Sequence, residues 1–138
     1  DLDTAEIESV VEAAVAAGAS GIVATNTTTS REGLPMEHAE RPGGLSGAPL
    51  FERSREVIAR VYRTVGDRVP IIGVGGVATA EQALAHMRAG ASLVQLYTGF
   101  IYGGPLLVGQ LLRGLSRSAD AEGWTSVGEI VGTTATKC

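Results

Sequence analysis

A chain of 138 residues, 44% hydrophobic and 19% charged, holds one ordinary globular domain and is too short for two. A net charge of −4, with no basic stripe, gives a nucleic-acid partner no electrostatic footing. The single cysteine, Cys138, builds neither a disulfide framework nor a thiolate metal site and suits a reducing compartment. The acidic opening Asp1-Leu2-Asp3 lacks the basic–apolar–small order of a signal peptide, so none is expected.

In chain order, "DLDTAEIESVVEAAVAAG" reads as a helix with both ends marked. Asp3 and Glu6 form a capping box, Leu2 and Ile7 a hydrophobic staple, and Gly18 a stop. Ile7, Val10, Val11 and Ala14 supply its apolar stripe. "SGIVAT" (20–25) then reads as a short buried strand, followed by a long polar segment, 26–47, of the kind that is functional or disordered in compact domains. Pro49 opens a second helix, whose face is Leu50, Ser54, Val57, Ile58, Val61 and Val65, ending at Gly66. "VPIIGV" is the second strand. Thr79 and Gln82 cap a helix to about Arg88 with Ala83, Leu84 and Met87 facing inward, and "SLVQLY" (92–97) is the third strand. A last helix is expected from about Pro105 to Ser118, a shorter one over 125–131, and a frayed tail after Gly132.

Residues 89–112 carry no charge and are long enough to span a bilayer, but Gly103-Gly104-Pro105 breaks a helix in mid-span. A strand, a loop and a helix start fit better. The junction Ala-Gly-Ala-Ser occurs twice, at 17–20 and 89–92, each time between helix and strand. Strands alternating with amphipathic helices make this an α/β chain of parallel βα units. Its near-continuous apolar strands suit a sheet covered on both faces.

"PIIGVGGVAT" (70–79) admits two readings of its glycines. Gly73-Val74-Gly75-Gly76-Val77-Ala78 matches G-x-G-x-x-A, but a dinucleotide site needs an acid ending the next strand. That strand ends Gln95-Leu96-Tyr97-Thr98, and the next acid is Asp120. A phosphate cradle fits better. Two consecutive strands end in the donor-rich turns "GVGG" and "YTG", and (β/α)8 barrels hold phosphate in the loops after the last two strands plus a short extra helix. "FIYGGP" (100–105) leaves room for such a helix. The plain alternative is that these glycines only make tight turns.

Thr25, Asn26, Thr27 and Thr28 cluster where a strand ends, the place barrels reserve for binding and catalytic groups. An Asn amide offers donors and an acceptor to a planar amide or carboxylate; the alternative is an Asx or Ser/Thr turn. "GGLSG" (43–47) gives a backbone able to approach a flat ring. His86, among Ala and Arg, reads as a surface residue. His38 lacks companions for a metal set, and Trp124 reads as an anchor for the last helix.

"GIVATNTT", "GGLSGAPL", "VPIIGVGGV" and "AGASLVQLYTGFIYGGP" resemble, in order and spacing, motifs in the C-terminal part of the dihydroorotate dehydrogenases, in particular the membrane-associated, quinone-using class. The resemblance covers about residues 1–115. It implies an FMN-dependent (β/α)8 TIM barrel that oxidises dihydroorotate to orotate in pyrimidine biosynthesis. The strands here are then the sixth to eighth, and residues 1–138 one partial domain with 119–138 as terminal helix and tail. By motif position, Thr25, Gly47, Gly75, Gly76, Tyr97, Thr98 and Gly99 contact FMN, with Gly76 and the Tyr97-Thr98 turn on its phosphate. Asn26 and Thr27 hydrogen-bond the pyrimidine.

A full barrel needs ~250 residues. The family's serine base, its flavin-side lysine, its first five strands and its membrane helices are not in this sequence. The expectation is therefore that this chain alone does not turn over dihydroorotate, and that the missing barrel half or self-association covers its open sheet edges. Two alternatives stay open: a non-catalytic fragment acting through association, and a non-flavin phosphate-binding barrel enzyme.

Overall fold

The computed structural model describes residues 1–32, 34–35 and 42–135. His38 and Cys138 lie outside them. Helix α1 spans Thr4–Ala16, and the reciprocal Asp3–Glu6 capping box fixes its start. Strand β1 (Ile22–Ala24) follows. Pro49 sits in a 3-10 turn, Ala48–Leu50, that runs directly into helix α2, Phe51–Val65. Strand β2 is Ile71–Val74. Helix α3, Ala80–Ala89, begins at the expected Thr79–Gln82 capping box, and strand β3 is Leu93–Gln95.

Helix α4, Thr98–Gly103, is the short extra element for which the sequence left room. Helix α5 runs Leu107–Glu122, later at both ends than expected: Gly104 at φ +71 and Pro105 delay its first turn, and it continues to a left-handed Gly123 cap. In place of the short helix expected over 125–131 there is a single 3-10 turn, Val127–Glu129.

The strands form one parallel sheet in the order β1-β2-β3, with Ala24 opposite Gly73 and Gly73 opposite Val94. Parallel neighbours require crossovers, which α2 and α3 supply. This register brings all three strand ends to one rim. Ile7 and Val11 of α1, Ile58, Val61 and Val65 of α2, and Ala24 and Ile71 of the sheet form the main core. Gly73 is glycine because a Cβ there would stand 2.9 Å from both Ile58 Cδ1 and Ala91 Cβ. A second cluster, Leu84, Met87 and Ile130 with Val94, Leu115 and Trp124, joins α3 to α5 and the segment after it. Trp124 thus packs against α3 as well as following α5.

Three sequence expectations need correction. The sheet is covered on one face only: Val23 and Leu93, on the other, are 60% and 59% exposed. Apolar strands therefore mark here a face left open within this chain. The segment after Gly132 is tied down through residue 135, with Gly132 and Thr134 donating backbone hydrogen bonds to Met87 and Arg88 and with Ala135 buried. His86 is fully buried, because it stands three residues after Ala83 and next to Met87 on the inward face of α3. Among the described residues, no helix is long and apolar enough to cross a membrane.

Candidate functional site

An open cavity of about 410 Å³ lies at the C-terminal rim of the sheet. Its lining includes Thr25, Asn26 and Thr27 after β1, Gly75 and Gly76 after β2, and Tyr97, Thr98 and Gly99 after β3, with Gly47 from the preceding loop. All nine residues singled out in the sequence are therefore gathered in one place. The volume falls within the range of small-molecule sites.

The two glycine turns touch. A side chain on Gly99 would start 2.1 Å from the Val77 carbonyl oxygen, so the turn after β3 lies directly on the turn after β2. Gly76, at φ +73, sits so close to α2 that a Cβ would lie 2.6 Å from Phe51 Cα. Both the backbone conformation and the contact require glycine there. The backbone N–H groups of Gly76, Val77, Thr98 and Gly99 donate to no acceptor among the described residues. Four unpaired donors at two touching turns, with no carboxylate in the cavity lining among the described residues, leave a neutral, donor-rich surface of the kind that can accept an anion.

The other end is polar and planar. Asn26 Oδ1 accepts from Thr27 N–H at 2.8 Å, and Thr25 Oγ1 donates to the Asn26 carbonyl at 2.9 Å. This contact spans one residue and is not an Asx turn; with its oxygen engaged, Asn26 can offer its amide N–H groups to the cavity as donors. Thr28 faces elsewhere, its hydroxyl donating to Asp1 at 2.6 Å while its backbone pairs with Leu45. Asp1 also accepts from Thr29 N–H, anchoring the Thr cluster from outside the cavity.

Ser46 and Gln95 line the cavity and escaped the sequence reading. Thr98 Oγ1 donates to Ser46 Oγ at 2.9 Å, and a Cβ on Gly47 would lie 3.1 Å from Thr98 Cγ2. That contact closes "GGLSG" onto the β3 turn across 52 residues of chain, and no local signal announces it. Gln95 was legible: alternation along β3 puts it on the same open face as Leu93. Among the described residues, the lining contains no carboxylate, imidazole, amine or thiol. These described residues can hold and orient a ligand, and none of them carries an ordinary general base.

Comparison with known proteins gives one family. The sequence profile described as dihydroorotate dehydrogenase matches residues 1–118. A protein of Cereibacter sphaeroides named dihydroorotate dehydrogenase (quinone) is 53% identical over 96% of this chain. One of Anaeromyxobacter dehalogenans with the same name is 50% identical over 96% of it. The chain spans 38% and 36% of those two proteins. Among solved structures, dihydroorotate dehydrogenase of Eimeria tenella in complex with ferulenol superimposes with a TM-score of 0.91. It is 34% identical, over 99% of this chain and 36% of that one. The ligand-free form from the same organism gives 0.90. The chain is an α/β piece of a parallel barrel, and it belongs to the dihydroorotate dehydrogenase family.

Proposed function

We propose that this chain is the FMN- and orotate-binding part of a quinone-using dihydroorotate dehydrogenase. The observation that carries the reading is the convergence of two touching turns with unpaired amides on one cavity. Those amides, and a lining without acid among the described residues, suit the phosphate of FMN, so the residues present fit the group. Gly76, Val77, Thr98 and Gly99 hold the phosphate; Thr25, Gly47, Gly75 and Tyr97 border the flavin. Asn26 and Thr27 hydrogen-bond the pyrimidine's carbonyl or carboxylate oxygens.

When bound, FMN supplies the two-electron acceptor for dihydroorotate oxidation. The chain's own contribution is orientation. Asn26, held by the Thr27 N–H, presents amide hydrogens in one direction, and the Ser46–Thr98 hydrogen bond keeps the ring-facing loop shut against the phosphate turn. With no base in the lining among the described residues, removal of the substrate's carbon-bound proton falls to the part of the barrel that these three strands do not form. Residues 1–138 act as a single partial domain, and the open face bearing Val23 and Leu93 receives that remainder. The relatives' name supports quinone as the acceptor, and membrane association and a place in pyrimidine synthesis are part of the same proposal.

The test joins this chain to the N-terminal part of the Cereibacter sphaeroides relative. The chimaera is expected to retain FMN and to reduce a quinone when given dihydroorotate, while the 138-residue chain shows no turnover. A chimaera that folds without FMN, or turnover by the chain alone, contradicts the proposal.

A further inference from the structure

His86 has no place in the chemistry above, yet it is 0% exposed, as is Ser54 beside it. Ser54 Oγ lies 2.8 Å from the Phe51 carbonyl oxygen, 2.9 Å from that of Gly75 and 3.1 Å from His86 Nε2. Ser54 has one hydroxyl proton, and two carbonyls compete for it. The third contact must bring its own hydrogen, so His86 carries its proton on Nε2 and donates to Ser54. Nδ1 is then bare. It has no partner among the described residues and faces Gly73, where a Cβ would come within 3.2 Å. A second proton on the ring would be a buried N–H without an acceptor, and burial accordingly pushes the His86 pKa down to about 4.

The neutral ring supports the anion turn along two routes. Through Ser54 it reaches Gly75: the hydroxyl touches the Gly75 carbonyl, and a Cβ on Gly75 would lie 2.7 Å from Ser54 Cβ. Through stacking it reaches Gly76: Phe51 lies on the His86 ring at 5.2 Å between centroids with 7° between planes, and the Phe51 backbone fills the space beside Gly76.

We propose that His86 is a positioning residue for the anion cradle, fixing the Gly75 carbonyl through Ser54 and the path of Gly76 through Phe51, so that the amides beyond them converge on a phosphate. The proposal rests on the reading of that turn as the phosphate end of the flavin site. Three variants of the chimaera test it by equilibrium binding of FMN and of riboflavin, which lacks the phosphate. His86→Phe keeps the stacking ring and loses the donor; Ser54→Ala loses the hydroxyl; His86→Gln puts an amide N–H near the place of Nε2.

His86→Phe and Ser54→Ala are expected to weaken FMN about tenfold, as for one lost buried hydrogen bond, with riboflavin unchanged. His86→Gln should recover most of the loss. An FMN-to-riboflavin ratio equal to that of the parent in the folded variants, or equal weakening of both flavins, overturns the positioning role. If Ser54→Ala does not fold, the His86→Phe and His86→Gln pair decides by the same ratio. A parent chimaera that does not prefer FMN over riboflavin refutes instead the phosphate reading on which the proposal stands.

Discussion

Acid should loosen this fold through His86. The ring is neutral in the folded state down to about 4, because burial disfavours its charge; neighbouring Arg55 adds to the effect, while Glu52 and the Phe51 backbone oppose it. In the unfolded chain it takes up a proton near 6.5. The unfolded state therefore binds more protons below 6.5, and the stability that the neutral ring allows is complete above that pH and lost as pH falls towards 4. The loss amounts to about 2 kcal/mol at pH 5 and about 3 kcal/mol at pH 4. With a denaturant sensitivity of about 2 kcal/mol per molar, the urea midpoint at pH 5 should lie about 1 M below its value at pH 7 on this account alone. The carboxyls of Glu12, Glu81 and Glu129 are held below their ordinary range by hydrogen bonds, so their own contributions fade at lower pH and blur the raw curve. The readout is thus the difference between the parent and His86→Gln, which cannot titrate. That difference should shift by about 2 kcal/mol between pH 7 and pH 5. A difference flat across the range would mean that His86 titrates as a surface residue, and the buried Ser54–His86 pair would be wrong.

Gly76→Ala forces a side chain into the Phe51 backbone at a φ of +73, so it should cost about 1–3 kcal/mol and at least tenfold in FMN affinity; thermal unfolding and flavin titration read the two effects. Asn26→Ala should leave stability within about 0.5 kcal/mol, since the site is exposed, while weakening orotate binding by roughly 10- to 100-fold for a hydrogen bond to a charged group. Equal orotate affinity would remove Asn26 from the substrate site. Leu93→Asp should cost less than about 0.5 kcal/mol in this chain, where Leu93 is 59% exposed, and several kcal/mol in the completed barrel, where the residue is covered. Equal costs in the two settings would mean that nothing packs on that face.

Features written in neighbouring residues were legible. Both capping boxes form as read, because a cap needs only its own first turn. The glycine turns at 75–76 and 98–99 were legible for the same reason: backbone that must approach closely leaves its mark as missing side chains. The Ser46–Thr98 bond and the Ser54–His86 bond join residues far apart in sequence, and no periodicity encodes them. His86 reads as surface from its Ala and Arg neighbours, although its spacing from Ala83 and its place beside Met87 put it on the buried face. The open sheet face misled in the opposite direction. Its apolar residues are what the proposed remainder of a barrel would cover, a surface that strand periodicity alone does not distinguish from one covered within the chain.

The claim beneath all of this is that the turns after β2 and β3 bind one phosphate together. Amide NMR shifts of Gly76, Val77, Thr98 and Gly99, followed during titration of the chimaera with FMN, test it directly. All four are predicted to move with one shared affinity and to keep their parent positions when riboflavin replaces FMN. Shifts confined to one turn, different affinities at the two turns, or the same response to riboflavin would contradict it.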